Sequence, residues 1–140
     1  MKTAATVARI LLGLVFLAAG ASGFFLIAHG PPPMPGLAGQ FQDVFFRSYW
    51  VLFVDGVEAI CGALLLANRF VPLALTALAA VIANILIFHI TMAPSGIVTG
   101  AIALVLWAIL AWRHRASFAP LLEARPRIEA AGNTAPFARS

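Results

Sequence analysis

Four apolar stretches set the limits on what this chain can become. They cover about residues 5–28, 50–67, 70–92 and 97–112, and each comes near the ~20 residues that carry a helix across ~30 Å of hydrocarbon. The separators are short and turn-forming: Asn68-Arg69 with Pro72 just beyond, then Ala93-Pro94-Ser95-Gly96. Connections that tight make consecutive helices antiparallel neighbours. The pattern predicts an all-α integral membrane protein, a four-helix bundle of up-down topology spanning residues 1–118. Residues 119–140 are polar, carry Pro120, Pro126 and Pro136, and read as a mobile tail.

Composition closes off the alternatives. Of the 140 residues, 62% are hydrophobic and 10% charged, where soluble domains carry about 45–50% and about 25%. A chain this short has too much surface for its volume to hide that apolar share in a water-facing fold. Disorder would need the opposite balance, low hydrophobicity and high charge. The single cysteine, Cys61, removes CxxC motifs and intrachain disulfides and reads as a small packing residue.

The net charge of +4 falls where orientation signals fall, which points away from nucleic acid as a partner. Lys2 and Arg9 precede or open the first stretch, Arg69 lies between the second and third, and Arg113 and Arg115 follow the fourth. Arg125, Arg127 and Arg139 lie in the tail. Four crossings put all of these on one side and leave Arg47 opposite. The positive-inside rule then places both termini in the cytoplasm. The first stretch has a rival reading: Lys2, Arg9, an apolar core and Ala19-Gly20-Ala21 resemble a cleavable secretory signal. The apolar run continues through Phe24-Phe25-Leu26-Ile27-Ala28, beyond a signal's core, which favours a retained helix. In that helix Gly20, Ala21, Ser22 and Gly23 let a neighbour approach closely.

Residues 29–48 form an outer loop that opens with Pro31-Pro32-Pro33-Met34-Pro35-Gly36. After it, Leu37, Phe41, Val44 and Phe45 recur at i, i+4, i+7 and i+8, with Gln40, Gln42, Asp43 and Arg47 between them. That spacing predicts a short amphipathic helix lying in the outer interface.

Asp55 and Glu58 are the most informative residues. Three apart on the second span, they share one helix face, at a depth where an ionisable group costs about 2.5–3.5 kcal/mol and is a functional candidate by default. Two acids this close do not both ionise easily, and a shared proton suits proton transfer. At ~1.5 Å per residue Asp55 lies ~9 Å and Glu58 ~13 Å from the outer surface, Asn84 ~12 Å and His89 ~5 Å. Glu58 with Asn84, and Asp55 with His89, are therefore level-matched, and Ser22 falls in the same outer half. The polar residues would gather in a pocket open to the outer side. The competing reading makes them interhelical hydrogen-bond contacts, worth ~0.6 kcal/mol each. His29 and His89 end two helices that run the same way, which allows haem or a metal but shows no ligand spacing signature. His114, between Arg113 and Arg115, belongs to the cytoplasmic anchor. No nucleophile constellation and no phosphate cradle is present.

Several segments carry a resemblance. They are Ala8-Arg9-Ile10-Leu11-Leu12-Gly13-Leu14-Val15-Phe16-Leu17 followed by Gly20, and Gly56-Val57-Glu58-Ala59-Ile60-Cys61-Gly62-Ala63-Leu64-Leu65-Leu66. With them go Ala83-Asn84-Ile85-Leu86-Ile87-Phe88-His89 and Arg115-Ala116-Ser117-Phe118. In these the chain resembles the DoxX family of small four-helix bacterial inner-membrane proteins, over about residues 5–122. Most of the motif positions are apolar; Glu58 with Gly62, and the segment from Asn84 to His89, are the distinctive ones. The resemblance implies a place in the bacterial inner membrane. Some relatives are the membrane subunit of a thiosulfate:quinone oxidoreductase, others accompany membrane-bound redox or thiol-stress complexes, and many have no assigned activity. Glu58 falls on the family's helix-two acid; no settled family mechanism maps onto it, and the lone Cys61 argues against independent thiol chemistry.

The expectation that follows is a membrane subunit or accessory of a quinone-linked redox system. Glu58 and Asp55 would handle protons as the catalytic pair, and Asn84, His89 and Ser22 would line a site for a quinone or other lipophilic molecule. The competing expectation is a non-enzymatic assembly or stabilising partner, meeting a redox protein or a second copy of itself through helix packing and the basic tail. Permeation through the chain is a third class, disfavoured because four short helices rarely enclose a path without oligomerising.

Overall fold

In hydrocarbon every backbone N–H and C=O must be satisfied within its own segment, so uninterrupted apolar runs become helices. The computed structural model describes residues 2–122 and bears this out. The long helices are α1 (Lys2–His29), α3 (Trp50–Leu66), α4 (Val71–Thr91) and α5 (Ile97–Arg113). Between the first two lies α2 (Gly36–Arg47), the short helix expected in the outer loop. A one-turn α6 (Arg115–Phe118) and a 3-10 turn (Ala119–Leu122) follow, and the rest of the expected tail lies outside the described residues. Three helices are long and apolar enough to cross a membrane, or four if α2 and α3, bent by 83° at their junction, count as one span. The bend falls at Tyr49, whose φ of 57° is left-handed and cannot continue a helix.

Large apolar side chains stand exposed along all the long helices, among them Leu14, Phe24, Phe53, Ile60, Leu73, Ile87, Val98 and Val105. Such a surface has no place in water and is what lipid contact requires.

The end of α3 shows how thoroughly its last carbonyls are satisfied. Asn68 takes a left-handed φ of 55°; its N–H donates to Leu65 O (3.1 Å) and the Arg69 N–H to Leu64 O (3.0 Å), a Schellman cap with Asn in the usual glycine position. The Ala67 N–H donates to Ala63 O (2.9 Å). From α1 the Arg9 guanidinium donates to Leu65 O and, at 3.1 Å, to Leu66 O. A cation thus sits on the negative end of the α3 dipole. Arg9, read from sequence as an orientation charge, is also a clamp between two helices. α4 then starts after Phe70, again left-handed, with Pro72 in its first turn where its missing N–H costs nothing.

α1 packs most closely on α3, and α5 lies against both α1 and α4. A Cβ added at Gly62 of α3 would stand 2.5 Å from Leu17 N and 2.8 Å from Gly13 O; one at Gly20 of α1 would stand 2.6 Å from Ala59 N. The two backbones therefore touch, in antiparallel order, and only glycine fits at those points. α4 and α5 are joined differently: Trp107 Nε1 donates to Leu75 O at 2.8 Å. A buried apolar cluster ties the helices together: Ala8, Leu12 and Phe16 of α1, Cys61 and Leu65 of α3, Leu75, Leu78 and Ile82 of α4, and Ala103 and Leu110 of α5 among its members. On α1 it stops at Phe16 and on α3 it starts at Cys61. It is weighted toward the end that holds Arg9 and the α3–α4 turn and reaches just past mid-helix at Ile82 of α4 and Ala103 of α5. Glu58, at the middle of α3, borders it, and Asp55 lies one turn beyond.

Candidate functional site

A helix that is apolar on every side carries no pattern saying which way it faces, so the surroundings of Asp55 and Glu58 come from packing. Both acids point inward: they are 8% and 6% exposed, and are the buried charged side chains among the described residues. With Val51, Cys61, Gly62 and Leu65 they make up the buried face of α3.

Asp55 faces α1. A Cβ at Gly23 would stand on its Oδ2 atom, so the missing side chain at 23 is the space the carboxyl occupies. That oxygen is fully enclosed and has no hydrogen-bond partner among the described residues. One turn further along, Glu58 lies at the level where the buried apolar cluster begins with Cys61. A carboxyl pair in an apolar seam, one oxygen of it unpartnered, is costly in hydrocarbon and marks a candidate functional site.

The other residues expected at the site are occupied elsewhere. Ser22 is exposed and its hydroxyl donates to Ala19 O at 2.7 Å. Asn84 is exposed and its Nδ2 donates to Ala80 O at 3.0 Å. His89 is half-buried; its Nδ1–H donates to Ala93 O at 2.9 Å. Its ring lies on Gly96, where a Cβ would come within 2.9 Å of Nε2, which staples the α4–α5 turn. The level-matched pairings of Glu58 with Asn84 and of Asp55 with His89 therefore do not form. Depth alone could not decide them: α1, with glycine at 20 and 23, comes closer to the acid face than α4 does, and each expected partner finds a carbonyl of its own segment first.

Two of the surface clefts among the described residues are well enough formed to describe, and neither touches the acids. One of about 130 Å³ lies between α4 and α5 and is lined by Ala79, Ile82, Ala83, Leu86, Leu104 and Trp107. The other, about 330 Å³, lies where α1 ends beside the α2–α3 bend, with Ile27, Pro31, Phe46, Arg47 and Tyr49 in its walls. His29 stacks on Phe25 (ring centroids 4.0 Å apart) and its Nδ1 lies 2.9 Å from Phe25 O. Among the described residues no three His, Cys, Asp or Glu side chains come together as metal ligands would.

Three residues that matter to this arrangement were not marked by their sequence role. Arg9 is a clamp, Trp107 an interhelical donor and Gly23 a seat for a carboxylate. Only Gly23 had a usable signal, in the small-residue run from Gly20 to Gly23 within the same half as Asp55. No protein-family model, curated protein or solved structure matches the chain.

Proposed function

We propose that the chain is a DoxX-like protein of the bacterial inner membrane, an up-down bundle of four crossings with α2–α3 as one bent span and both termini in the cytoplasm. In this reading it serves a quinone-linked redox system as membrane subunit or accessory, with Glu58 and Asp55 as its proton-handling pair. Lys2, Arg9, Arg69, Arg113 and Arg115, all at one end of the helices, support the orientation. The observation that carries the function is the enclosed, unpartnered Asp55 carboxyl beside a second buried acid, an arrangement expensive in hydrocarbon and useful for moving protons. A quinone suits the hydrogen-bonding character of the acids but not the space, because α1 and α3 touch at Gly20. No step is therefore routed through a quinone at the carboxyls.

A second reading, a non-enzymatic assembly partner, draws on a specific observation: Ser22, Asn84 and His89 all bond to carbonyls of their own segments. One experiment separates the two. An absorbance spectrum and lipid extract of the purified protein should show co-purified quinone, and Glu58→Gln should slow proton uptake on reduction of that quinone while leaving the quinone content unchanged. Absence of quinone, haem and flavin from both proteins, with partner capture lost on truncation after Arg115, overturns the redox reading and leaves the assembly one.

A further inference from the structure

Asn84 stands three residues past Val81, the midpoint of α4, so it lies roughly 5 Å from mid-helix at ~1.5 Å per residue. It is exposed there, on a face that also exposes Thr76, Ala80, Ala83 and Ile87. An amide carries two N–H donors and one carbonyl acceptor. One N–H is held by Ala80 O, which fixes the side chain against its own helix and turns the other N–H and Oδ1 outward. Among the described residues these have no partner, and at this depth lipid supplies none.

From this exposed amide we infer that the α4 face around Asn84 is a self-association surface, and that its occupant is α4 of a second copy of this chain. Copies inserted in a single orientation are related by a two-fold axis along the membrane normal. That axis brings Asn84 to Asn84 at the same depth without further adjustment. The free N–H of each amide then donates to Oδ1 of the other, and both orphaned groups are satisfied by one reciprocal contact. Thr76, Ala80 and Asn84 repeat every four residues; their small size lets the helix axes approach to the distance this contact needs. An unrelated helix would have to bring a polar group of its own to that level; a second copy has one there already. The inference rests on α4 crossing the membrane and is independent of the redox reading.

The test uses the full chain, labelled at an appended C-terminal tag and reconstituted in phosphatidylethanolamine/phosphatidylglycerol vesicles. Subunits are counted by single-molecule photobleaching as the protein-to-lipid ratio is lowered. The wild-type chain should show a dilution-dependent dimer. Asn84→Leu should weaken association at least tenfold, Asn84→Gln should keep part of it, and Ala80→Ile should weaken it by preventing close approach. Ile60→Leu, on an exposed face of α3, should match the wild type. Asn84 is exposed, so helix content by circular dichroism should be unchanged throughout. A wild-type chain that stays monomeric at every ratio, or an Asn84→Leu chain that dimerises as strongly as the wild type, overturns the assignment.

Discussion

The Asp55 carboxyl occupies the volume in which a side chain at Gly23 would stand. The two positions are a single packing unit across α1 and α3. That makes an otherwise unremarkable helical glycine the condition for burying an acid.

The unit can be tested by a double-mutant cycle. Gly23→Ala should destabilise the protein by about 1–3 kcal/mol through overpacking, and Asp55→Ala added to it should restore most of the loss, since the obstacle is a side chain. Gly20→Ala should cost at least as much and should not be rescued by Asp55→Ala, because its added methyl meets the Asp55 backbone and Ala59. Thermal unfolding in detergent measures all six proteins, the wild type and Asp55→Ala alone included. Equal rescue of both glycine variants would show that the carboxyl is not what fills the space at 23.

Arg9 gives a second prediction. Its guanidinium bonds the Leu65 and Leu66 carbonyls, and losing such charge-assisted bonds costs about 1.5–3 kcal/mol. Arg9→Ala should lower stability by that order and speed amide exchange around the α3–α4 turn. Arg9→Lys should recover part, because an ammonium reaches the helix end but lacks the planar fork. Unchanged exchange at Asn68 and Arg69 in Arg9→Ala would rule out the clamp.

His114 follows the last span, and burial, with Arg113 beside it, holds its imidazole below the ordinary value of 6.5. The folded state therefore prefers the neutral ring. Above the ordinary value the group contributes no pH dependence; as pH falls through it, protonation favours the unfolded chain and the fold loses stability. A histidine titration by NMR should find the His114 midpoint below 6.5, and Arg113→Ala should raise it only in part, since burial is the larger cause. A midpoint at or above the ordinary value would contradict this environment.

The long helices were legible because crossing hydrocarbon is a demand on length and composition, and both are written directly in the chain; only the second stretch falls short, reaching span length when α2 and α3 are counted together. The α2 helix was legible for a related reason: Leu37, Phe41, Val44 and Phe45 form a one-sided stripe against polar neighbours. The surroundings of Asp55 and Glu58 were not. α3 is apolar on nearly every side, so its rotation about its own axis leaves no periodic trace, and equal depth made Asn84 and His89 look like partners. What decided the matter was how close two backbones could come, which is set jointly by Gly20 and Gly23 on one helix and Ala59 and Gly62 on the other. Local competition explains the rest: Ser22, Asn84 and His89 each had a carbonyl of their own segment within reach.

The buried apolar cluster ends at Phe16 on α1 and begins at Cys61 on α3. Past that boundary the helices are held by a different fastener: main chain lies on main chain where Gly20 meets Asp55 and Ala59, and the Asp55 carboxyl fills the space at Gly23. One end of the molecule can trade one apolar side chain for another of similar volume. The other admits no side chain at all, so the acid end is where the sequence has least freedom to change.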